Sequence, residues 1–277
     1  MAPPNLCSGE PFGLPVAIDK TMRGVVNMSD KAKTKSASHC HNKTADRKPA
    51  KQQLVNEIRS LAQYYGLNQV FTTFLELTAL CLSIEADPMS QSERLQRYND
   101  MVADMDAETV SAYARMEVYL IEEVQRTKDC PYDILGEIFM SLGLSNEWNG
   151  QFFTPDHICR MMAKLVGADL LPERGSITIN EPTCGSGAMV LGAVHAMKEK
   201  GLDCQSHALF VAQDIDIRCV WMAYIQLWLY EIPAVVIHGD TLAMKEWSRW
   251  YTPFVTYVEP PVVCEKFACD MPEVKVG

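Results

Sequence analysis

The stretch INEPTCGSGAMVLGA, from Ile179 to Ala193, leaves a short β-branched segment, passes an acid and two glycines, and enters a small apolar run. This reads as strand, turn and helix, with Ile177–Asn180 as the strand and Ser186–Glu199 as the helix. Gly185 and Gly187 let the backbone bend tightly and leave it open to a ligand. A phosphate-binding loop of the GxxxxGK type is absent, and Val190 stands where a dinucleotide fingerprint needs its third glycine. Glu181, just before the turn, is the distinguishing residue. A carboxylate there repels a pyrophosphate and attracts a cationic amine. A purely structural glycine turn in another α/β protein is the plain alternative.

The residues that follow extend the pattern. Ala208–Ala212 and Ala234–His238 read as strands, with a helix over Ile217–Tyr230 between them. Such alternation predicts a parallel sheet with helical crossovers, and a ligand beyond the carboxyl ends of the strands. Asp214 closes LFVAQD, where a carboxylate can accept from both hydroxyls of a ribose. Asp240 closes VVIHGD, where it can accept from an adenine amino group. Three acids at the ends of successive strands are hard to explain as core packing. Ammonium, ribose and adenine together describe S-adenosylmethionine, the expected cofactor. Asp216 lies one residue past the strand end and reads as a helix cap.

The amino-terminal half has another texture. Residues 1–51 hold nine Lys/Arg against four Asp/Glu, so they carry +5 and residues 52–277 carry −15 of the net −10. Residues 1–50 are rich in Pro, Gly, Ser, Lys and Thr and read as a disordered basic leader, able to meet phosphate or simply solvated. Helical periodicity begins at Lys51, with Leu54, Ile58, Leu61 and Tyr65 on one face. Further helices are expected over about 68–84, after a capping box at Ser90–Glu93, over Glu108–Arg126 and over Tyr132–Leu142. The expected domains are therefore 51–148, helical, and 149–277, α/β. Ten cysteines without a CxxC pair read as reduced and mostly buried. His39, Cys40 and His41 adjoin, but no second cluster answers them, so no metal site is expected. No signal peptide is evident, and no apolar run of about 18 residues is expected, so the reading is a cytoplasmic protein with no membrane partner.

Several motifs share one resemblance. GQFFTP (Gly150–Pro155), EPTCGSGA, Asp214, the GDTL of Gly239–Leu242 and the YDILGEIF of Tyr132–Phe139 resemble the adenine-N6 DNA methyltransferases. Within these, the resemblance is in particular to the modification subunits of type I restriction systems, over roughly Asp133 to Leu242. The resemblance implies a Rossmann-like S-adenosylmethionine-dependent methyltransferase sheet preceded by a helical domain. It implies that Phe153 and Thr154 pack over the methionine end of the cofactor and that Pro182, Gly185 and Gly187 form the cofactor loop. Thr154 also suits the N-cap of the next helix, with Pro155 at its first position. The implied partners are DNA, met directly or through another subunit, and restriction–modification subunits.

The family's catalytic motif, (N/D)PP(Y/F), ends its fourth strand, where it holds the target amino group and stacks on the flipped base. Phe254–Val258 reads as that strand and Glu259-Pro260-Pro261-Val262 as the motif, making Glu259, Pro260 and Pro261 the catalytic candidates. Glutamate is one methylene too long, and valine lacks a π face whose stacking is worth about 1–3 kcal/mol. EPPV read as a plain loop is the alternative. Fifteen residues follow Val262, so the sheet is expected to be shortened at its carboxyl end. Three functions follow: an adenine-N6 methyltransferase with impaired catalysis, a non-catalytic cofactor-binding protein that joins or blocks a restriction complex, or a methyltransferase acting on something other than DNA.

Overall fold

Helices capped by aspartates lead into the sheet. The computed structural model describes residues 49–145, 153–167 and 176–257. The helical part comprises α1 (Ala50–Tyr65), α2 (Leu67–Ala86), α3 (Gln91–Ala103), α4 (Ala107–Arg126), α5 (Ile134–Ser141) and α6 (Asp156–Gly167). Asp106 starts α4 by accepting from the Thr109 N–H at 2.7 Å, and Asp133 starts α5 by accepting from the Gly136 N–H at 2.8 Å. Ser90 does precede α3, but its side chain makes no cap bond, so the expected capping box does not form. At φ −103° and ψ 3° it sits in a turn, and Asp87 organises that turn by accepting the Met89 N–H on its carboxylate.

The α2 stretch Leu67–Ile84 corrects the expectation that no long apolar run exists. It is 18 residues long and apolar enough to cross a membrane by length and composition. Two-thirds of it is buried within the protein, where Val70, Phe71, Phe74 and Leu75 are at most 1% exposed. A core helix satisfies the same composition.

The sheet comprises β1 (Ile177–Glu181), β2 (Ala208–Asp214), β3 (Ala234–Asp240) and β4 (Lys245–Tyr251), in that spatial order. Helices α7 (Ala188–Glu199) and α9 (Ile217–Leu229) make the crossovers, with the short α8 (Cys204–His207) before β2. The first three strands are parallel, as the alternation predicts, and this is a Rossmann-like arrangement. Every residue from Cys219 to Trp228 of α9 is buried. The helix is enclosed by β2 and β3 on one side and α2 on the other, so helices and sheet share one core.

The fourth strand departs from the expectation. Phe254–Tyr257 belong to a 3-10 turn, Pro253–Tyr257, and the strand beside β3 is the antiparallel β4. Its cause is length: the link from Asp240 to Lys245 is too short for a helical crossover, which needs a dozen or more residues. Met244, at φ +52°, closes that reversal. On β4 Trp250 faces the core, and the Arg94 guanidinium of α3 lies 4.1 Å from its ring centroid. Arg94 also donates to the Arg249 carbonyl at 2.6 Å and pairs with Asp87 at 3.3 Å, fastening the helical part to the sheet edge.

Candidate functional site

Glu181, Asp214 and Asp240 are the last residues of β1, β2 and β3, so the strands run one or two residues further than the sequence suggests. All three therefore stand at the carboxyl edge of the parallel sheet. Hydrogen bonds tie the connecting loops together there. The Cys184 N–H donates to the Gln213 carbonyl at 2.8 Å, and the Gly185 N–H donates to the Asp214 carboxylate at 2.9 Å. The Thr241 hydroxyl donates to the Pro182 carbonyl at 2.6 Å, linking the turn after β3 to the loop after β1.

Asp214 thus has backbone partners of its own. One oxygen holds Gly185 and the other accepts the Asp216 N–H at 2.9 Å. Burial raises its pKa above the usual carboxylate value, opposed by those N–H groups. Each carboxylate oxygen has two acceptor positions, so lone pairs remain for a pair of ligand hydroxyls. Glu181 accepts from the Thr183 N–H at 3.3 Å. Asp240 uses one oxygen for the Leu242 and Ala243 N–H groups, at 2.9 and 3.0 Å, shaping the turn that follows. Asp216 caps α9 as expected, accepting from the Arg218 N–H at 2.9 Å.

The two glycines have separate reasons. Gly185 has φ +54°, and a Cβ there would lie 3.1 Å from the Phe153 ring. Gly187 has φ +93°, and a Cβ would lie 3.3 Å from the backbone and side chain of Ala223 on α9. Hence a side chain at either site is strained by conformation and crowded by a neighbour. Phe153 also packs on Phe139 of α5, ring centroids 5.3 Å apart. The structure therefore brings Phe153 onto the glycine loop. Thr154 and Pro155 are exposed, and α6 begins one residue later than expected. The Pro155 carbonyl accepts the Cys159 N–H at 3.2 Å, which makes Pro155 the N-cap rather than the first helical residue.

A cavity of about 890 Å³ lies beside this loop, lined by Phe153, Thr154, Asp133, Gly136, Tyr132 and Lys51 among others. Glu181, Asp214 and Asp240 do not line it; they stand at the carboxyl ends of the strands. Glu259, Pro260 and Pro261 lie outside the described residues, as do His39, Cys40 and His41. Sequence reasoning missed Asp133 and Gln226, which hold Ser186 from behind. Asp133 immediately precedes the LGEIF helix, but Gln226 sits in an apolar helix with no local signal.

Open strand ends, glycine loop and strand-terminal acids define the class: a Rossmann-like sheet preceded by a helical region. The chain is similar, more specifically, to the adenine-N6 DNA methyltransferases, since residues 132–263 match the family model N-6 DNA Methylase. No curated protein matches the chain. Among solved structures it is similar to the type I restriction-modification system methyltransferase subunit from Streptococcus thermophilus, at 16% identity and a TM-score of 0.42, over 72% of this chain and 59% of that one. It is also similar to a protein from Listeria monocytogenes described as a candidate class I S-adenosylmethionine-dependent methyltransferase, at 18% identity and a TM-score of 0.38, over 70% and 54%. The chain thus spans between half and two-thirds of either structure, and no residue's role transfers at these scores.

Proposed function

We propose that this protein binds S-adenosylmethionine across the carboxyl ends of β1, β2 and β3 and transfers its methyl group to adenine N6 in DNA. The observation that carries the reading is the placement of Glu181, Asp214 and Asp240 at the ends of neighbouring parallel strands, beside a glycine loop that Asp214 itself holds. Glu181 receives the cofactor's ammonium group, Asp214 its ribose hydroxyls, and the second carboxylate oxygen of Asp240 its adenine amino group. Backbone at Gly185 and Gly187 admits the ligand closely, and Phe153 with Thr154 covers its methionine end. The cofactor supplies an electrophilic methyl group on sulfur with its own leaving group; the protein's task is alignment and exclusion of water.

Glu259, Pro260 and Pro261 are the catalytic residues on this reading, Glu259 and the carbonyl of Pro260 accepting from the target amino group. The acidic body repels DNA, so the strand is met by the basic leader or by a partner restriction–modification subunit. A DNA substrate fits a cytoplasmic location. Incubation with tritiated cofactor and unmethylated DNA should place label on adenine N6. Label recovered only from RNA or protein would move the reading to another substrate.

A second reading has its own observation: glutamate and valine at the ends of EPPV, where the family motif has Asn or Asp and an aromatic residue. On that reading the chain holds the cofactor without catalysis and joins or blocks a restriction complex. It predicts cofactor binding without transfer, and capture of restriction–modification subunits in a pull-down.

A further inference from the structure

We propose that Asp133 is a positioning residue that locks the glycine loop from behind, so that its side chain governs ligand access without touching the ligand. The proposal rests on the cofactor reading above only for its effect on affinity. Asp133 is 5% exposed and Gln226 0%. One Asp133 oxygen accepts from the Gly136 N–H at 2.8 Å and from the Gln226 amide at 2.9 Å; the other accepts from the Ser186 hydroxyl. The same Gln226 nitrogen donates to the Ser186 carbonyl at 2.9 Å, and its oxygen accepts the Leu135 N–H at 3.1 Å. Ser186, between the two glycines, is therefore gripped at both hydroxyl and carbonyl by residues of α9 and of the start of α5.

Two features exceed what helix capping needs. An exposed serine or asparagine caps a helix adequately, whereas a buried carboxylate carries a large desolvation cost unless donors surround it. Here all three donors are uncharged, and one belongs to the loop. The network also occupies the space beside Gly136: a Cβ there would lie 1.9 Å from an Asp133 oxygen and 2.6 Å from the Ser186 hydroxyl. That accounts for the glycine in YDILGEIF. The loop is thus clamped on two faces, by Asp214 on the strand-edge side and by Asp133 on the side of the 890 Å³ cavity.

Cys184 supplies a probe that needs no cofactor. It lies in the loop at 5% exposure, while Cys81 on α2 and Cys204 on α8 are buried elsewhere at 7% and 5%. Thiol labelling of the full chain, mapped by mass spectrometry, reports loop opening at Cys184 and general unfolding at the other two. Asp133→Ala should accelerate Cys184 labelling about tenfold or more relative to Cys81 and Cys204, and weaken S-adenosylmethionine binding by a similar factor. Asp133→Asn keeps an acceptor for Gly136 and Gln226 and can donate to the Ser186 oxygen, so it should restore both to within about threefold. If Asp133→Ala does not fold, Ser186→Ala removes the same grip with less damage and should open Cys184 selectively. Equal acceleration at all three thiols would reduce Asp133 to a stabilising residue and overturn the proposal, as would unchanged Cys184 protection. Failure of the wild type to bind cofactor would defeat the functional reading alone, because the labelling contrast still decides the clamp.

Discussion

At the scale of single residues, the site depends on side chains whose two duties were only half visible. The carboxylate at the end of LFVAQD is proposed to accept from a ribose; nothing local in the sequence announces that it holds the Gly185 and Asp216 N–H groups. Asp214→Ala should therefore cost about 2 kcal/mol of stability by orphaning those donors, besides abolishing most cofactor binding. Urea denaturation beside a binding titration separates the two effects, and a variant of wild-type stability would mean that the loop is held by other groups. Gly185→Ala meets a positive φ and the Phe153 ring together, so a loss of about 2 kcal/mol is expected. The adjoining Phe153→Ala should relieve the crowding and recover part of it. Absence of such coupling in the double variant would place Phe153 elsewhere in solution. These glycines were legible because turns need them, and the three acids because of their spacing. The clamp behind the loop was not, because Asp133 and Gln226 are separated from it by tens of residues.

At the scale of elements, the parallel strands and their crossovers followed from the alternation of β-branched and helical segments. The strand after β3 did not, because four linking residues force a reversal whichever segment is most β-prone, and charged, tryptophan-rich KEWSRWY does not read as a strand. A helix of the amino-terminal part carries a pH signature. Glu117 of α4 accepts from the Thr78 hydroxyl at 3.3 Å, and burial pushes its pKa up to about 7 against that bond. Its usual value is 4.5, so the protonated form favours the folded state. The contribution is complete below pH 4.5 and is lost as pH rises through about 7. Glu117→Gln should accordingly stabilise the protein at about pH 8.5 far more than at about pH 5, by roughly 2 kcal/mol. Identical pH slopes for variant and wild type would mean that the carboxyl is well solvated.

For the whole molecule, the joint between helices and sheet matters most. Arg94 reaches across it to Trp250 and the Arg249 carbonyl and is paired on its own side with Asp87, and both charged side chains are 8% exposed. Arg94→Ala leaves Asp87 buried without its partner and should cost about 3–5 kcal/mol. Because α9 is enclosed by both parts, helical circular dichroism and tryptophan fluorescence should report one shared unfolding transition in wild type and variant alike. Two separated transitions would show that the parts fold independently. No local pattern in the sequence marks Arg94, whose carbonyl acceptor Arg249 lies 155 positions away. The reading of function rests finally on the strand-end acids and the glycine loop, and calorimetric titration of the full chain with S-adenosylmethionine tests it most directly. One site per chain, lost on Asp214→Ala and weakened on Glu181→Gln, is the expected result. No heat of binding from a folded wild-type protein would contradict the account and leave the glycine turn as structure alone.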